Sequence, residues 1–178
     1  MLIDEFLPRF DFAEHHGIAI NAPAGSVYAA IRTLDLSNSK VIRWLFRLRG
    51  LPESSLSLEG LVRMGFIPLV ENPSEEILLG VVGKFWTRAG EFQRLDPGGF
   101  QQFDRAGYAK AAWNFAVAQP SEGMTRLTTE TRIYCTDPAS RRRFRIYWSV
   151  IAPFSAWIRR EVLRILKERL ELERVARL

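Results

Sequence analysis

Two adjacent histidines are the side chains of this sequence best suited to moving protons near neutral pH. His15 and His16 are the only histidines among 178 residues. An imidazole inside a cavity could act as a general base, although a structural role is the more common one. Neighbouring strand residues point to opposite faces, so this pair is not expected to hold one metal ion. We therefore predict no metal site and no cofactor.

An enzyme built on this chain would need an ionisable group inside a cavity. The candidates are His15, His16, Glu91 and Asp104, and none belongs to a catalytic signature, so the catalytic residues stay undetermined. Cys135 is the only cysteine, and it ends an apolar strand face with no base nearby in the sequence. This setting favours a small buried hydrophobe over a nucleophile.

The glycine-rich segment Gly80-Val-Val-Gly83-Lys84 is not a phosphate-binding loop. It lacks the longer glycine spacing and the following Ser or Thr of such loops. Its glycines instead favour a bend, a bulge or a close backbone approach within a sheet.

Aromatic side chains and two threonines fall on elements that should face each other, which favours a ligand cavity or, equally, a plain packed core. Hydroxyl groups on a covered sheet face need partners, and a polar ligand, water or hydrogen bonds within the core could supply them. The predicted cavity-lining residues are Trp86, Trp113, Phe115, Val117, Thr129, Thr131, Tyr147, Trp148, Ile151 and Phe154.

Alternation predicts the two longest strands, Tyr108–Gln119 and Met124–Thr136, joined by a hairpin turn. One face of each is expected to be covered and the other to face water. The other predicted elements are a strand at Phe12–Ile20, a helix entered at Pro23, a helix at Leu36–Leu48, strands at Leu61–Val70 (with Pro68 marking an edge) and Glu76–Val82, and short strands near Phe85–Thr87 and Phe100–Phe103.

The last forty residues read as one long helix with an apolar stripe. Apolar residues recur in steps of three and four, Asp137 is the predicted N-cap, and Pro153 predicts a kink. From residue 139 to 178 there are eleven Arg or Lys and four Glu residues, a net charge of +7. A solvated face is the ordinary interpretation of this charge. The alternative is an anionic partner, either a membrane surface or an acidic protein, bound by Arg141, Arg142, Arg143 and Arg145.

The elements together predict an α+β helix-grip fold in one domain, residues 1–178, with an N-terminal arm at residues 1–10. In this fold a curved antiparallel sheet of about six to seven strands wraps round the C-terminal helix, and two short helices follow the first strand. The apolar content of 47% is typical of globular proteins. No apolar run is long enough for a transmembrane helix, no secretory signal is evident, and one cysteine permits no internal disulfide, so we expect a cytoplasmic protein.

Three segments carry a resemblance to a known superfamily. They are the strand–Pro–helix opening at Ala19–Pro23, the block Leu127–Arg132 running into Asp137-Pro138, and the segment Leu78–Trp86. With the element order, they resemble the START-like superfamily of bacterial polyketide cyclase, dehydrase and lipid-transport proteins, which includes the birch-pollen allergen family. The resemblance implies a pocket for a hydrophobic or amphipathic small molecule.

Three functions follow from this sequence. The first is binding of a small hydrophobic ligand between the sheet and the C-terminal helix. The second is a cyclase- or dehydratase-like enzyme acting in the same cavity. The third is interaction with an anionic surface through the arginine-rich helix. Nucleic acid is not expected as a partner because no nucleic-acid-binding motif is present, and the sequence leaves the oligomeric state open.

Overall fold

The structure, a computed structural model, describes residues 1–37, 39–40, 42–44, 57–121 and 123–175. Its described elements, in chain order, are α1 (Leu2–Phe6), β1 (Phe12–Ile20), α2 (Ala24–Arg32), α3 (Leu58–Met64), β2 (Ile67–Asn72), β3 (Glu76–Gly83), α4 (Pro97–Gln102), β4 (Ala109–Ser121), β5 (Met124–Cys135) and α5 (Pro138–Val175).

The described strands form one antiparallel sheet in the order β1-β5-β4-β3-β2. This is the α+β arrangement that the sequence predicts, and with its long C-terminal helix it is consistent with a helix-grip fold. The expected six to seven strands are wrong, because the described residues form five. Pro68 does lie in an edge strand, where the pairing register shifts between Pro68 and Val70, as a residue without an amide donor requires.

Helix α5 covers one face of the sheet. Asp137 caps its start, since its carboxylate Oδ1 accepts hydrogen bonds from the backbone amides of Ala139 at 2.8 Å and Ser140 at 3.0 Å. These bonds confirm the predicted N-cap. The helix buries a stripe that packs on β1, β4 and β5 and on α2. Pro153 lies inside the helix, and the kink expected there stays a prediction.

The opposite face of the sheet was predicted to meet water, but it is largely covered. Ile3 and Leu7 of the N-terminal arm and Phe100 of α4 are buried against it. The buried carboxylate of Glu76 fixes the arm, because it accepts hydrogen bonds from the amide of Leu2 at 2.9 Å and from a side-chain amide of β4 at 2.6 Å. Burial on this face explains why all of β3 is buried.

Of the predicted strands, Leu61–Val70 is wrong in its first half and confirmed at residues 67–70, which begin β2. The short strands predicted near Phe85–Thr87 and Phe100–Phe103 are wrong. Local capping explains two of these three differences. Leu58–Met64 is a helix because Ser57 accepts a hydrogen bond from the amide of Gly60 at 3.1 Å, and Gly65 ends it with a φ of 117°. Pro97–Gln102 is a helix because Asp96 caps it and proline occupies its first turn. Residues 85–87, the third segment, form a turn.

The first part of the chain agrees with its predicted pattern. The strand Phe12–Ile20 is confirmed, and the helix after Pro23 buries Val27 and Ile31. Of the helix predicted at Leu36–Leu48, residues 40 and 42–44 are helical, while Val41, Leu45 and the rest of its second half lie outside the described residues.

Candidate functional site

A cavity of about 150 Å³ lies between the sheet and helix α5. The sheet contributes residues of β3, β4 and β5, the helix contributes the other wall, and α3 with the loop after β3 closes the ends. The walls are mostly apolar and aromatic. The lining residues are Leu61, Met64, Phe66, Val81, Phe85, Phe92, Ala111, Trp113, Thr131, Ile133, Phe144, Tyr147, Trp148, Ser155, Ile158 and Arg159.

The structure brings four of the ten predicted lining residues to this cavity, namely Trp113, Thr131, Tyr147 and Trp148. Alternation along β4 and β5 aims the first two at α5, and helical spacing places the other two on its inner face. Their binding to a ligand stays a prediction.

The other six predicted residues do not line the cavity. Trp86 packs edge-to-face on Phe144, with their ring centroids 6.5 Å apart. Thr129 is buried and its hydroxyl is satisfied, since it accepts from the indole Nε1 of Trp113 at 2.6 Å and donates to the carbonyl oxygen of Asn114 at 2.7 Å. The remaining four belong to neighbouring layers of the packed interior or its margin. They are Phe115, Val117, Ile151 and Phe154.

The polar end of the cavity is formed by Thr131 and Arg159. Thr131 is 5% exposed, and its Oγ1 has no hydrogen-bond partner among the described residues. The guanidinium of Arg159 lies 4.9 Å from the ring centroid of Trp113. A largely apolar cavity therefore ends in a hydroxyl group and a cation, the arrangement that orients a ligand with one polar group.

Glu14 lies beside this polar end. It pairs with Thr131 across β1 and β5, and its Oε2 is 3.8 Å from Nε of Arg159. That separation is an ion pair but is too long for a hydrogen bond. Glu14 Oε2 also has no hydrogen-bond partner among the described residues. Burial of polar atoms without partners is uncommon and marks a candidate functional site.

His16 follows Glu14 on the same face of β1. Its buried Nε2 is another side-chain polar atom without a described hydrogen-bond partner. Burial lowers the pKa of His16, and Arg160 and Arg159 lower it further, while the Glu14 carboxylate opposes them. The imidazole is therefore biased towards its neutral form, which can accept a proton. His16 is not one of the cavity-lining residues.

The other ionisable candidates do not reach the cavity. His15 and Asp104 are exposed. Glu91 is exposed too and pairs with Lys84 at 2.6 Å. Cys135 is buried, and burial raises the pKa of its thiol to about 12 with a further contribution from Asp11. Its thiol is therefore protonated at neutral pH, which is the weakly nucleophilic form.

Sequence reasoning missed Glu14 and Arg159. The signal for Glu14 was its place between Phe12 and His16 on one face of an alternating strand. The signal for Arg159 was a helical step of four from Ser155, which is buried on the inner side of α5. The many arginines of the same stretch instead indicate a charged surface.

Among the described residues, no three His, Cys, Asp or Glu side chains are grouped so that they could hold a metal ion. Within the same part of the chain, every helix is too short or too polar to cross a membrane.

No protein-family model matches the chain, and no curated protein matches it. Among solved structures, the chain is similar to the di-domain ARO/CYC protein BexL from the BE-7585A biosynthetic pathway, with 19% identity and a TM-score of 0.34. That match covers 91% of this chain and 47% of BexL, so the chain spans about half of the BexL length.

Two other solved structures have similar lengths. The ZhuI aromatase/cyclase from Streptomyces sp. R1128 is 14% identical, with a TM-score of 0.32 and coverage of 89% of this chain and 94% of ZhuI. A hypothetical protein from Helicobacter pylori is 8% identical, with a TM-score of 0.39 and coverage of 92% and 93%. At these values the similarities assign no activity to this chain.

Proposed function

We propose that this protein binds a small aromatic or apolar molecule bearing one hydrogen-bonding group, in the cavity between the sheet and α5. One observation carries the proposal. The Thr131 hydroxyl is 5% exposed, lines an apolar cavity and has no described hydrogen-bond partner. A ligand hydroxyl or carbonyl at that position would satisfy it, while the aromatic walls would take up the rest of the molecule.

The size of the cavity restricts the ligand. Its volume of about 150 Å³ matches cavities that accept a single benzene ring. Larger ligands would need movement of the lining side chains. Membership in the START-like superfamily is part of the same proposal, and it is supported by the element order and by the position of the cavity between sheet and C-terminal helix.

Phenol and benzene form a matched pair of probes, because they differ only in the hydroxyl group. We expect wild-type protein to bind both saturably in NMR titrations. Phenol should gain an advantage of about 2- to 12-fold over benzene, the value of one net hydrogen bond. The Thr131→Val variant should lose that advantage and keep its affinity for benzene. Failure of both probes to bind would contradict the proposal.

A cavity-filling variant provides an independent test. Ala111 lies on β4 and lines the cavity, so Ala111→Leu should exclude the probes. The exposed Ala118 lies on the same strand and does not line the cavity, and Ala118→Leu is the matched control that should bind normally. Equal binding by both variants would place the probes elsewhere.

We infer an enzyme of the cyclase or dehydratase kind as the second candidate. His16 favours it, because its buried Nε2 has no described partner and burial lowers its pKa. It ranks second because His16 is not a lining residue. In such an enzyme, a substrate that reaches the neutral His16 would lose a proton to it from the carbon next to a carbonyl group, which is the first step of the condensation.

Hydrogen–deuterium exchange at the methyl group of acetophenone measures that step directly. Wild-type protein should accelerate the exchange by about a hundredfold or more over buffer, and His16→Gln should abolish the acceleration. His15→Gln, in the adjacent exposed position, is the control and should stay active. If wild-type protein leaves the exchange rate unchanged, this second candidate fails while the binding proposal stands.

A further inference from the structure

The outer face of helix α5 carries a stripe of exposed apolar side chains. Ile146, Val150, Pro153 and Trp157 follow one another at steps of four, three and four residues, so they share one face of the helix. Ile146 is 72% exposed, Val150 is 62% exposed and Trp157 is 47% exposed. The stripe spans about 16 Å at the rise of an α-helix, and it points away from the cavity. We call these four residues the outer stripe.

Positively charged side chains stand at both ends of the outer stripe. Arg142 and Arg143 precede Ile146 by about one turn, and Arg160 follows Trp157 by three residues. All three arginines are exposed, and within the described residues none of them forms an ion pair with a carboxylate.

Other arginines of α5 are neutralised in the fold. Arg141, one of the four arginines predicted to form a patch, pairs with Asp11. Arg164 pairs with Glu161 and Glu168, and Arg169 pairs with Glu173. The positive charge without a described partner is therefore concentrated around the outer stripe, together with the exposed Arg145.

We propose that the outer stripe docks this protein on an anionic lipid bilayer. The apolar side chains would enter the headgroup region, with Trp157 at the boundary, and the flanking arginines would contact lipid phosphates. A large exposed apolar patch on a helix marks an interaction surface, and an apolar stripe with flanking basic residues fits the interface of an anionic membrane.

The charge distribution favours a bilayer over a second copy of this chain and over a nucleic acid. A second copy of the chain meeting this face symmetrically would bring arginine clusters together without carboxylates to offset them. A nucleic acid would bring phosphates against the apolar centre of the stripe, which has no donor for them. The proposal is independent of the proposed ligand, because the outer stripe and the cavity lie on opposite faces of α5.

Co-sedimentation of the full chain with extruded vesicles tests the proposal. Vesicles of phosphatidylcholine containing phosphatidylserine should bind wild-type protein, and vesicles of phosphatidylcholine alone should bind it weakly. Arg142→Gln/Arg143→Gln should weaken binding by about 25-fold, since each basic residue near such a surface contributes about fivefold. Trp157→Ser should weaken it by about tenfold, because the apolar contribution is lost.

A matched control removes the same number of charges from the same helix. Arg164→Gln/Arg169→Gln neutralises two arginines that already have carboxylate partners, and it should change binding by less than about threefold. Equal losses in both double variants would overturn the proposal, because net charge alone would then explain binding. Unchanged binding by Trp157→Ser would also overturn it.

Two further outcomes separate this surface from the cavity and from self-association. Ala111→Leu fills the cavity and should leave vesicle binding unchanged, whereas its loss would show that lipid enters the cavity and would overturn docking through the stripe. In sedimentation velocity without lipid, a dimer that dissociates in Ile146→Ser/Val150→Ser would also overturn it. All substituted stripe and arginine positions are exposed, so the variants should fold, which thermal unfolding would verify.

Discussion

Replacement of Thr131 by valine changes one polar atom at the cavity and almost nothing in shape. The hydroxyl of Thr131 is buried without a described hydrogen-bond partner, and such a group costs about 1–3 kcal/mol of folding free energy. Valine removes the cost and retains the branched side chain. We therefore expect Thr131→Val to raise the free energy of unfolding by about 1–2 kcal/mol. For a chain of 178 residues this corresponds to a rise of roughly 2–8 °C in Tm.

Thr129→Val is the matched control, two residues away on the same face of β5. Its hydroxyl accepts from Trp113 Nε1 at 2.6 Å and donates to the carbonyl of Asn114 at 2.7 Å. Valine would leave the buried indole N–H without an acceptor. We expect a loss of about 1–3 kcal/mol, opposite in sign to the change at Thr131.

Urea and thermal unfolding of ligand-free protein measure both variants. If Thr131→Val is destabilised as much as Thr129→Val, then Thr131 is satisfied in solution and is not reserved for a ligand. That outcome would refute the proposal that the Thr131 hydroxyl is a ligand-binding group of the cavity. A stabilised variant that also loses the preference for phenol over benzene would link the cost in stability to ligand recognition, the trade-off expected at binding sites.

Three further predictions concern the fold. Asp137→Ala should lower the free energy of unfolding by about 1–2 kcal/mol through loss of the N-cap. Hydrogen bonds hold the pKa of the Asp137 carboxyl below its ordinary value, so this stabilisation is full above about pH 4 and is lost as pH falls. The difference in stability between the variant and wild type should therefore disappear in acid unfolding. Gly83→Ala should cost about 1–3 kcal/mol in urea unfolding, because an added Cβ would lie 2.7 Å from the carbonyl oxygen of Gly90, whereas Gly25→Ala meets open space and should not destabilise. Burial lowers the pKa of Lys110, so its charged form opposes folding at neutral pH, and the stability of wild-type protein should rise as pH rises towards the ordinary lysine pKa. Lys110→Met should be more stable than wild type at pH 7 and lose most of that advantage at about pH 10.5. A variant less stable than wild type at pH 7 would contradict this prediction.

Local periodicity predicted the elements that are long enough to show it. The alternation of β4 and β5 and the steps of three and four in α5 placed Trp113, Thr131, Tyr147 and Trp148 on the correct sides. Short helices escaped this reasoning, because six or seven residues contain less than two full turns and their apolar positions also fit a strand. Capping by Ser57 and Asp96 was the readable signal.

The second covered face of the sheet could not be read from its strands alone. Arg132 and Glu130 lie on the face of β5 opposite Thr131, the face predicted to meet water, yet Arg132 is 9% exposed because the N-terminal arm covers it. Arg132 donates to the carbonyl of Leu7 at 3.3 Å and pairs with Asp4 at 2.7 Å. These partners lie more than 120 residues away in the chain, so no local pattern announces them.

The sequence by itself determined the class of fold and the capacity for an interior lined by aromatic residues, because alternation, helical spacing and caps are properties of neighbouring residues. Tertiary structure decided which side chains line the cavity and which of its polar groups lack partners. Arg159 lines the cavity, and Glu14, which is remote from it in sequence, lies within 3.8 Å of it. Tertiary structure also separated the arginines paired within the fold from those left around the outer stripe, because pairing depends on distance in space and not on spacing along the chain.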